Sequence, residues 1–217
     1  MLPNRLPQKV IFDFDNTLVD TQPSIHKAFN DTLEAFGHPI WSDEELSKKI
    51  KFSPRDFLHK VIGVENEAKG LEIFLEKYKT HSKDCLKPLD LAHELISFLS
   101  ENQIEQYIIS NKRGFLLRHE IENILNWSHF FAKVIGSEDF EKDKPDPAIV
   151  EFTIGHPADR NIWFVGDTDV DVKCAKLSGC YAILVNNKPD DEFEYLPDIN
   201  YPNIEMFLSD LRKVKNA

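Results

Sequence analysis

The sequence predicts an α/β fold: a parallel sheet with helices on both faces, and an inserted all-α domain. After Pro88, short apolar runs alternate with helical patterns, which is typical of a parallel sheet. The first apolar run, Val10-Ile11-Phe12, leads straight into acidic residues, as a buried parallel strand does when its carboxyl end carries polar chemistry. Residues 20–85 carry only helical patterns. We therefore predict a core domain of residues 1–19 and 86–217 and an inserted cap domain of residues 20–85.

The insert is predicted to hold four helices, because apolar residues recur in it at helical spacing. Capping residues, glycines and a proline at a first helical position set the predicted ends of these helices. The four segments are Ile25 to Phe36, the run that starts at the capping-box pair Ser42 and Glu45, the run that Ser53 and Pro54 begin, and Leu71 to Tyr78.

The core beyond the insert is predicted to alternate helices and strands along the chain, with strands marked by short β-branched and aromatic runs. The predicted strands are Tyr107 to Ile109, Val134 to Ile135, Ile162 to Val165 and Ala182 to Val185. The predicted helices are Leu91 to Leu99, Leu117 to Leu125, the run that Pro147 opens with Asp146 as N-cap, Val170 to Leu177, and Ile204 to Leu211.

The composition argues against several classes of protein. The chain of 217 residues has 26 Lys and Arg against 37 Asp and Glu, a net charge of −11. Such a protein repels phosphate backbones, so we expect no nucleic-acid partner, and a phosphate ester needs cations concentrated at its site. Three cysteines without paired spacing indicate neither a disulfide framework nor a zinc site. The sequence has no apolar leader and no run long enough to span a membrane, so we expect a soluble cytoplasmic protein without a membrane partner.

Polar side chains follow four of the predicted strands. Parallel strands bring their carboxyl ends to one edge of the sheet, where ligands bind. Each group alone has an ordinary alternative, such as a helix cap, a turn or a surface charge. Four such features at the same structural position favour a functional site. The residues are Asp13 and Asp15, then Ser110 and Asn111, then Lys144, then Asp167 and Asp171.

The acidic pair at the first strand end suits a hard cation. Asp13 and Asp15 are two residues apart, so an extended chain points both side chains to one side. Close carboxylates repel each other unless a cation neutralises them, and oxygen ligands favour a hard divalent ion. A solvated acidic turn is the alternative.

At the fourth strand end, Gly166 permits close backbone approach, so that Asp167 can reach a metal there.

Donors for a phosphoryl group are available at the other two strand ends. Lys144 precedes Pro145-Asp146-Pro147, where the prolines favour an extended approach followed by a helix start. An ammonium held there could pair with a phosphoryl oxygen or with an acceptor aspartate. Ser110 and Asn111 could donate hydrogen bonds to phosphate oxygens.

These residues resemble four motifs of the haloacid dehalogenase superfamily, in its phosphoglycolate phosphatase-like branch. The motifs occur in the family's order and span nearly the whole core, and the insert is similar to that branch's α-helical cap. The resemblance implies a Rossmann-like core. The matching segments are Asp13-Phe14-Asp15-Asn16-Thr17, Ile109-Ser110-Asn111-Lys112, Lys144-Pro145-Asp146-Pro147 and Gly166-Asp167-Thr168-Asp169-Val170-Asp171.

The resemblance also implies a mechanism, in which a Mg²⁺-dependent phosphatase acts on a small phosphorylated metabolite. Asp13 would attack phosphorus to form an aspartyl-phosphate, and Asp15 would protonate the leaving oxygen and then activate water. Phosphoryl transfer needs positioning and charge neutralisation more than new bonds. The metal would be held by the Asp13 carboxylate, the Asp15 backbone carbonyl, Asp167 and, in support, Asp171, and the phosphoryl oxygens by Ser110, Asn111 and the catalytic Lys144.

Several alternatives stay open at this stage. A phosphomutase would return the phosphoryl group to a sugar. A haloacid dehalogenase shares the nucleophile but needs neither an acid at Asp15 nor a metal ligand at Asp167. A phospho-accepting signalling module and a catalytically silent scaffold fit the motifs less well. The sequence does not determine the oligomeric state or choose among phosphoglycolate, sugar phosphates, nucleotides and pyrophosphate; Lys51 and Arg55 are cap cations considered for substrate contact.

Overall fold

The computed structural model describes residues 2–50, 54–186 and 193–216. The chain divides into two compact units, one formed by Met1–Val19 with Pro88–Ala217 and the other by Asp20–Lys87. The strands are β1 (Lys9–Phe12), β2 (Val19–Asp20), β3 (Lys87–Pro88), β4 (Glu105–Arg113), β5 (Lys133–Ser137), β6 (Ile162–Gly166), β7 (Tyr181–Val185) and β8 (Ile199–Tyr201). The helices are α1 (Gln22–Ala35), α2 (Asp43–Lys49), α3 (Pro54–Ile62), α4 (Glu67–Cys85), α5 (Ala92–Glu101), α6 (Gly114–His119), α7 (Ala148–Ile154), α8 (Asp169–Ser178) and α9 (Ile204–Lys215).

The larger unit is built on a parallel sheet of six strands in the order β5-β4-β1-β6-β7-β8. Strand β1 lies in the middle, where Phe12 is paired with Ile108 on one side and with Val165 on the other. Its apolar residues are fully buried, as a strand flanked on both edges and covered on both faces requires. The predicted α/β fold with an inserted all-α domain is confirmed.

Several features of the larger unit differ from the sequence-based expectation. Strand β4 continues to Arg113, so Ser110 and Asn111, which were expected after a strand ending at Ile109, lie within it. Strand β8 was not predicted, because its three residues are too few to show a pattern. The helix expected up to Leu125 is α6 followed by a π-helical segment, Glu120–Ile124. The N-cap of α7 is Pro147 and not the expected Asp146, because the helix begins one residue later, at Ala148; Asp146 Oδ1 still accepts a hydrogen bond from Ala148 N at 2.9 Å.

The smaller unit contains α1 to α4 and packs around aromatic side chains. The ring centroid of Phe29 lies 4.5 Å from that of Phe57 and 4.4 Å from that of Phe74. These ring contacts join α1, α3 and α4. The predicted capping box of α2 is confirmed: Ser42 Oγ accepts from Glu45 N at 3.3 Å and Glu45 Oε2 accepts from Ser42 N at 2.9 Å. Ser53, the expected start of α3, and Lys51 lie outside the described residues.

Among the residues that the structure describes, no helix has both the length and the apolar character needed to cross a membrane.

Candidate active site

Asp13 begins the site, directly after the central strand. Its N–H donates to Val165 O at 2.9 Å, so the sheet pattern continues one residue past β1 and fixes the aspartate at the carboxyl edge. The side chain is buried. The chain then turns sharply at Asn16, whose φ of 58° lies in the left-handed region that asparagine tolerates, and Asn16 N donates to Val19 O at 2.7 Å.

Lys144 is the cation of the site. Its Nζ lies 2.6 Å from Asp13 Oδ1 and 2.6 Å from Asp171 Oδ1, and the side chain is only 3% exposed. Burial alone would lower the pKa of Lys144, but the two carboxylates outweigh it, so the pKa is raised and the ammonium stays charged. Lys144 is therefore a buried partner of two aspartates rather than a surface lysine.

Asn111 holds the main chain of Lys144. Its Nδ2 donates to Lys144 O and its Oδ1 accepts from Lys144 N, both at 2.9 Å. The Asn111 amide thus binds both the N–H and the carbonyl of Lys144, and this fixes the backbone position from which the lysine side chain extends. Sequence analysis placed Asn111 among the phosphate-binding residues; in the structure its amide binds the main chain of Lys144.

Asp171 joins the site from the first turn of α8. Its Oδ2 accepts from Thr168 N at 3.1 Å and from Thr168 Oγ1 at 2.6 Å, while Oδ1 faces Lys144. A Cβ added at Gly166 would lie 2.3 Å from Asp171 Cβ, so the strand end must be glycine for this carboxylate to lie there. The same aspartate thus caps its helix and supplies charge to the site.

Thr17 lies between the carboxylates of Asp13 and Asp167. Its Oγ1 lies 3.1 Å from Asp167 Oδ1 and 3.3 Å from Asp13 Oδ2, and it is completely buried. The hydroxyl has one proton to donate, so it serves the two acceptors in turn. The Thr17 contacts bring Asp167, from the end of β6, next to Asp13, from the end of β1.

The three aspartates form a cluster that suits a divalent cation. Single carboxylate oxygens of Asp13, Asp167 and Asp171 all lie within 4.8 Å of one another. Burial raises the pKa of Asp13 to about 7; Lys144 opposes this shift, and Asp171 and Asp15 add to it. Burial, together with Asp13 and Asp171, also raises the pKa of Asp167. A hard cation among these oxygens would offset the repulsion, so the donor set fits such an ion.

Asp15 and Ser110 complete the predicted set. Asp15 Oδ1 accepts from Lys112 Nζ at 2.8 Å. Ser110 is buried near the end of β4, and its Oγ accepts from Lys112 N at 3.3 Å. The structure therefore brings Asp13, Lys144, Asp167 and Asp171 into one cluster, and it places Asp15 and Ser110 around Lys112 at the same edge of the sheet.

Sequence reasoning missed the contacts of Thr17, Lys112 and Glu120, the last a buried glutamate whose Oε2 accepts from Lys112 Nζ at 2.6 Å. Thr17 and Lys112 stand inside matched motifs, four residues after Asp13 and two after Ser110, and this position could have drawn attention to them. Glu120 carries no sequence signal, because nothing in a helical stripe marks one glutamate as buried.

Comparison with known proteins agrees with the fold and identifies a family. The profile of the family described as haloacid dehalogenase-like hydrolase matches residues 10–185. A phosphoglycolate phosphatase from Pseudomonas savastanoi pv. phaseolicola is 28% identical over 227 residues, covering 99% of this chain and 80% of that protein. Phosphoglycolate phosphatase 1 of Pseudomonas aeruginosa is 30% identical, covering 81% and 68%. A solved haloacid dehalogenase-like hydrolase from Streptococcus pneumoniae gives a TM-score of 0.81 at 19% identity, covering 94% and 98%.

The fold and the cluster define an α/β enzyme whose acidic site lies at the carboxyl edge of a parallel sheet. The family match covers most of the chain. The chain belongs to the haloacid dehalogenase-like hydrolases, so the resemblance drawn from its motifs is confirmed. Within that family it is an enzyme of the phosphatase type, similar in sequence to phosphoglycolate phosphatases.

Proposed function

We propose that the protein is a Mg²⁺-dependent phosphatase that hydrolyses a small phosphomonoester through an aspartyl-phosphate on Asp13. The observation that carries the proposal is the placement of Asp13: a buried carboxylate 2.6 Å from Lys144 Nζ and clustered with Asp167 and Asp171. The names of the curated relatives support the phosphatase class and make phosphoglycolate the first ester to test.

Asp13 is the nucleophile. One of its carboxylate oxygens forms the bond to phosphorus while the bond to the leaving oxygen breaks, and water later releases phosphate from the aspartyl-phosphate. Lys144 binds Oδ1 at 2.6 Å and Thr17 lies 3.3 Å from Oδ2, so the carboxylate has a fixed orientation. Fixed orientation matters because the attacking and leaving oxygens must lie in line.

Asp15 is the acid and base of the proposed reaction. It protonates the leaving oxygen in the first half and takes a proton from the attacking water in the second. Its side chain is 27% exposed, unlike that of Asp13, so the two carboxylates that share a segment differ in access to solvent. That difference fits one group that bonds to phosphorus and another that exchanges protons.

The metal, when bound, would neutralise charge on the phosphoryl oxygens. Its ligands would be carboxylate oxygens of Asp13 and Asp167 and the backbone carbonyl of Asp15, with Asp171 in support. Asp171 already accepts from Lys144 and Thr168, so it acts mainly by holding the lysine. Ser110 and Lys144 would bind phosphoryl oxygens, and Asn111 would act through the main chain of Lys144.

The test is release of inorganic phosphate from phosphoglycolate and from an aryl phosphate, with Mg²⁺ or with EDTA. We expect turnover with Mg²⁺, loss of turnover with EDTA, and at least a roughly 1,000-fold lower kcat in Asp13→Asn. Glu105→Gln is the matched control, because Glu105 lies at the opposite end of β4. The kcat of the Glu105→Gln variant should equal that of the wild type.

Three results would reject the proposal. Turnover that persists in Asp13→Asn would remove the nucleophile. Halide release from a haloacid without phosphate release would identify a dehalogenase. Conversion of a sugar phosphate to its isomer without phosphate release would identify a phosphomutase.

A further inference from the structure

Lys112 and Glu120 form a buried ion pair beside the site, and the mechanism above gives neither a role. Lys112 Nζ lies 2.6 Å from Glu120 Oε2 and 2.8 Å from Asp15 Oδ1. The Lys112 side chain is 8% exposed and that of Glu120 is 0% exposed. Charges this deeply buried are costly unless they are paired, so the pair is a specific feature of the fold rather than a surface accident.

Lys112 lies in an irregular part of β4, next to the end of β1 that leads to Asp15. The pairing of β4 with β5 shifts between Ile109 and Arg113, and Lys112 lies within that shift. Its ammonium also lies 5.3 Å from the centre of the Phe14 ring, over the residue that precedes Asp15. The lysine therefore contacts the first motif at two successive residues.

Glu120 is presented by the π-helical segment that follows α6. In this segment Leu125 N donates to Glu120 O at 2.9 Å, the i to i+5 spacing that defines a π turn. Such turns are rare, and they are frequently found at functional sites. Here the segment carries Glu120, whose carboxylate reaches the ammonium of Lys112.

We propose that Lys112, held by Glu120, is a positioning residue for Asp15: it fixes the carboxylate in the rotamer from which a proton passes to the leaving oxygen. This inference rests on the proposed function. Asp15 lies next to the tight turn at Asn16 and is partly exposed, so a carboxylate without a fixed partner would sample several rotamers. A general acid acts only within hydrogen-bond reach of its oxygen, so rotamer order translates into rate.

The test compares two esters whose leaving groups differ in their need for a proton. The leaving group of an alkyl phosphate is a strongly basic alkoxide, which needs a proton from the acid. The leaving group of p-nitrophenyl phosphate is p-nitrophenolate, which is weakly basic and leaves without a proton. In Lys112→Met we expect kcat/KM, which covers only the steps up to release of the leaving group and not the later attack of water, to fall by about 10- to 100-fold on the alkyl phosphate and by less than about 3-fold on p-nitrophenyl phosphate. Asp15→Asn gives the upper limit of this selective loss.

Lys112→Met leaves Glu120 buried without the lysine, which can prevent folding. The double variant Lys112→Met with Glu120→Gln removes that charge and should show the same selectivity. Glu120→Gln alone should show a smaller loss of the same kind, and Lys112→Arg should restore part of the alkyl phosphate rate. Lys9→Met is the matched control: Lys9 forms an ion pair with Glu105 on the same two strands at the opposite edge, so both rates should stay unchanged.

Equal losses of kcat/KM on both esters in the double variant and in Glu120→Gln would show a purely structural role and overturn the inference. The outcome is separable from failure of the proposed function. If the wild type releases phosphate and Asp15→Asn is selective while the Lys112 variants are not, only this inference fails. If the wild type releases no phosphate, the proposed function fails first.

Discussion

Individual residues at the carboxyl edge of the sheet have structural and chemical tasks at once. Asp171 caps α8 through Thr168 and binds Lys144, and Asn111 uses both ends of its amide to hold the Lys144 main chain. A substitution at either position therefore also changes how Lys144 is held, and through Lys144 it changes the aspartate cluster. Charge balance at this edge is a property of the set of residues, not of any one pair.

Asp198 offers a clean test of charge–stability coupling away from the site. It accepts from Arg160 at 2.7 and 2.8 Å, from Lys176 at 2.6 Å and from Ala182 N at 2.8 Å. Partial burial would raise the pKa of Asp198, but these bonds outweigh it and lower the pKa to about 2. Asp198→Asn should lower the free energy of unfolding by about 1.5–3 kcal/mol at pH 7, measured by urea titration.

The pH dependence of that effect follows from the direction of the shift. Because the folded-state pKa lies below the ordinary value of 3.8, the stabilisation is complete above about pH 4 and is lost as the pH falls toward 2. The difference between wild type and variant should shrink over that window. Glu194→Gln, which breaks an exposed pair with Lys173, should cost less than about 1 kcal/mol. A difference that stays constant down to pH 2 would contradict the assignment.

At the residue scale, the sequence predicted positions better than contacts. Asp13, Lys144, Asp167 and Asp171 were expected at strand ends, and the structure brings them together. The orientation of the Asn111 amide toward Lys144 could not be predicted, because an asparagine after a strand has many partners within reach. The contact between Lys112 and Glu120 depends on a π turn that no residue pattern marks.

At the scale of elements, two glycines bring β5 and the start of α6 close together. A Cβ added at Gly136 would lie 2.4 Å from Gly114 Cα and 2.7 Å from Lys112 O, and both of these are backbone atoms. Backbone cannot rotate away as a side chain can. Gly136→Ala should therefore destabilise the protein by about 1–3 kcal/mol or more in urea unfolding followed by circular dichroism.

Gly70→Ala is the matched control in α4. The added Cβ would meet Ile62 Cδ1 at 2.3 Å, the far end of a flexible side chain. Alanine also gains about 1 kcal/mol of helix propensity over glycine, which offsets the cost of moving Ile62. The free energy of unfolding should change by less than about 1 kcal/mol. A loss as large as that of Gly136→Ala would show that the nature of the neighbouring atom does not decide the cost.

The elements themselves were largely predictable because apolar periodicity was strong. The central strand, the alternation after Pro88 and the capping box of α2 all follow local patterns that the structure confirms. Strand β8 escaped prediction because its partner β7, and not its own composition, makes it a strand.

At the scale of the whole molecule, the three cysteines report separately on the two units. Cys174 and Cys180 are buried in the larger unit, and burial raises the pKa of Cys174 to about 12 and that of Cys180 to about 11. Cys85, in the smaller unit, is half-buried. At pH 8 a thiol reagent should modify Cys85 first, and the other two at least about 100-fold more slowly.

In denaturant all three thiols should react at similar rates, and Cys85→Ser should remove the fast phase of the native protein. Three equal rates in the native state would show that the larger unit opens as readily as the half-buried Cys85 reacts.

The central position of β1 also determines the order in which this protein can assemble during synthesis. Residues 9–12 are synthesised well before both of the segments that they pair with, residues 105–108 and 162–165. At about 5–20 residues per second, the apolar strand waits on the order of ten seconds or more for its second neighbour. Native pairing on both edges of β1 cannot precede the translation of Val165. The apolar residues of β1 therefore lack their second native neighbour until residues 162–165 have been made, and in that interval their unpaired edge is open to aggregation or to a chaperone.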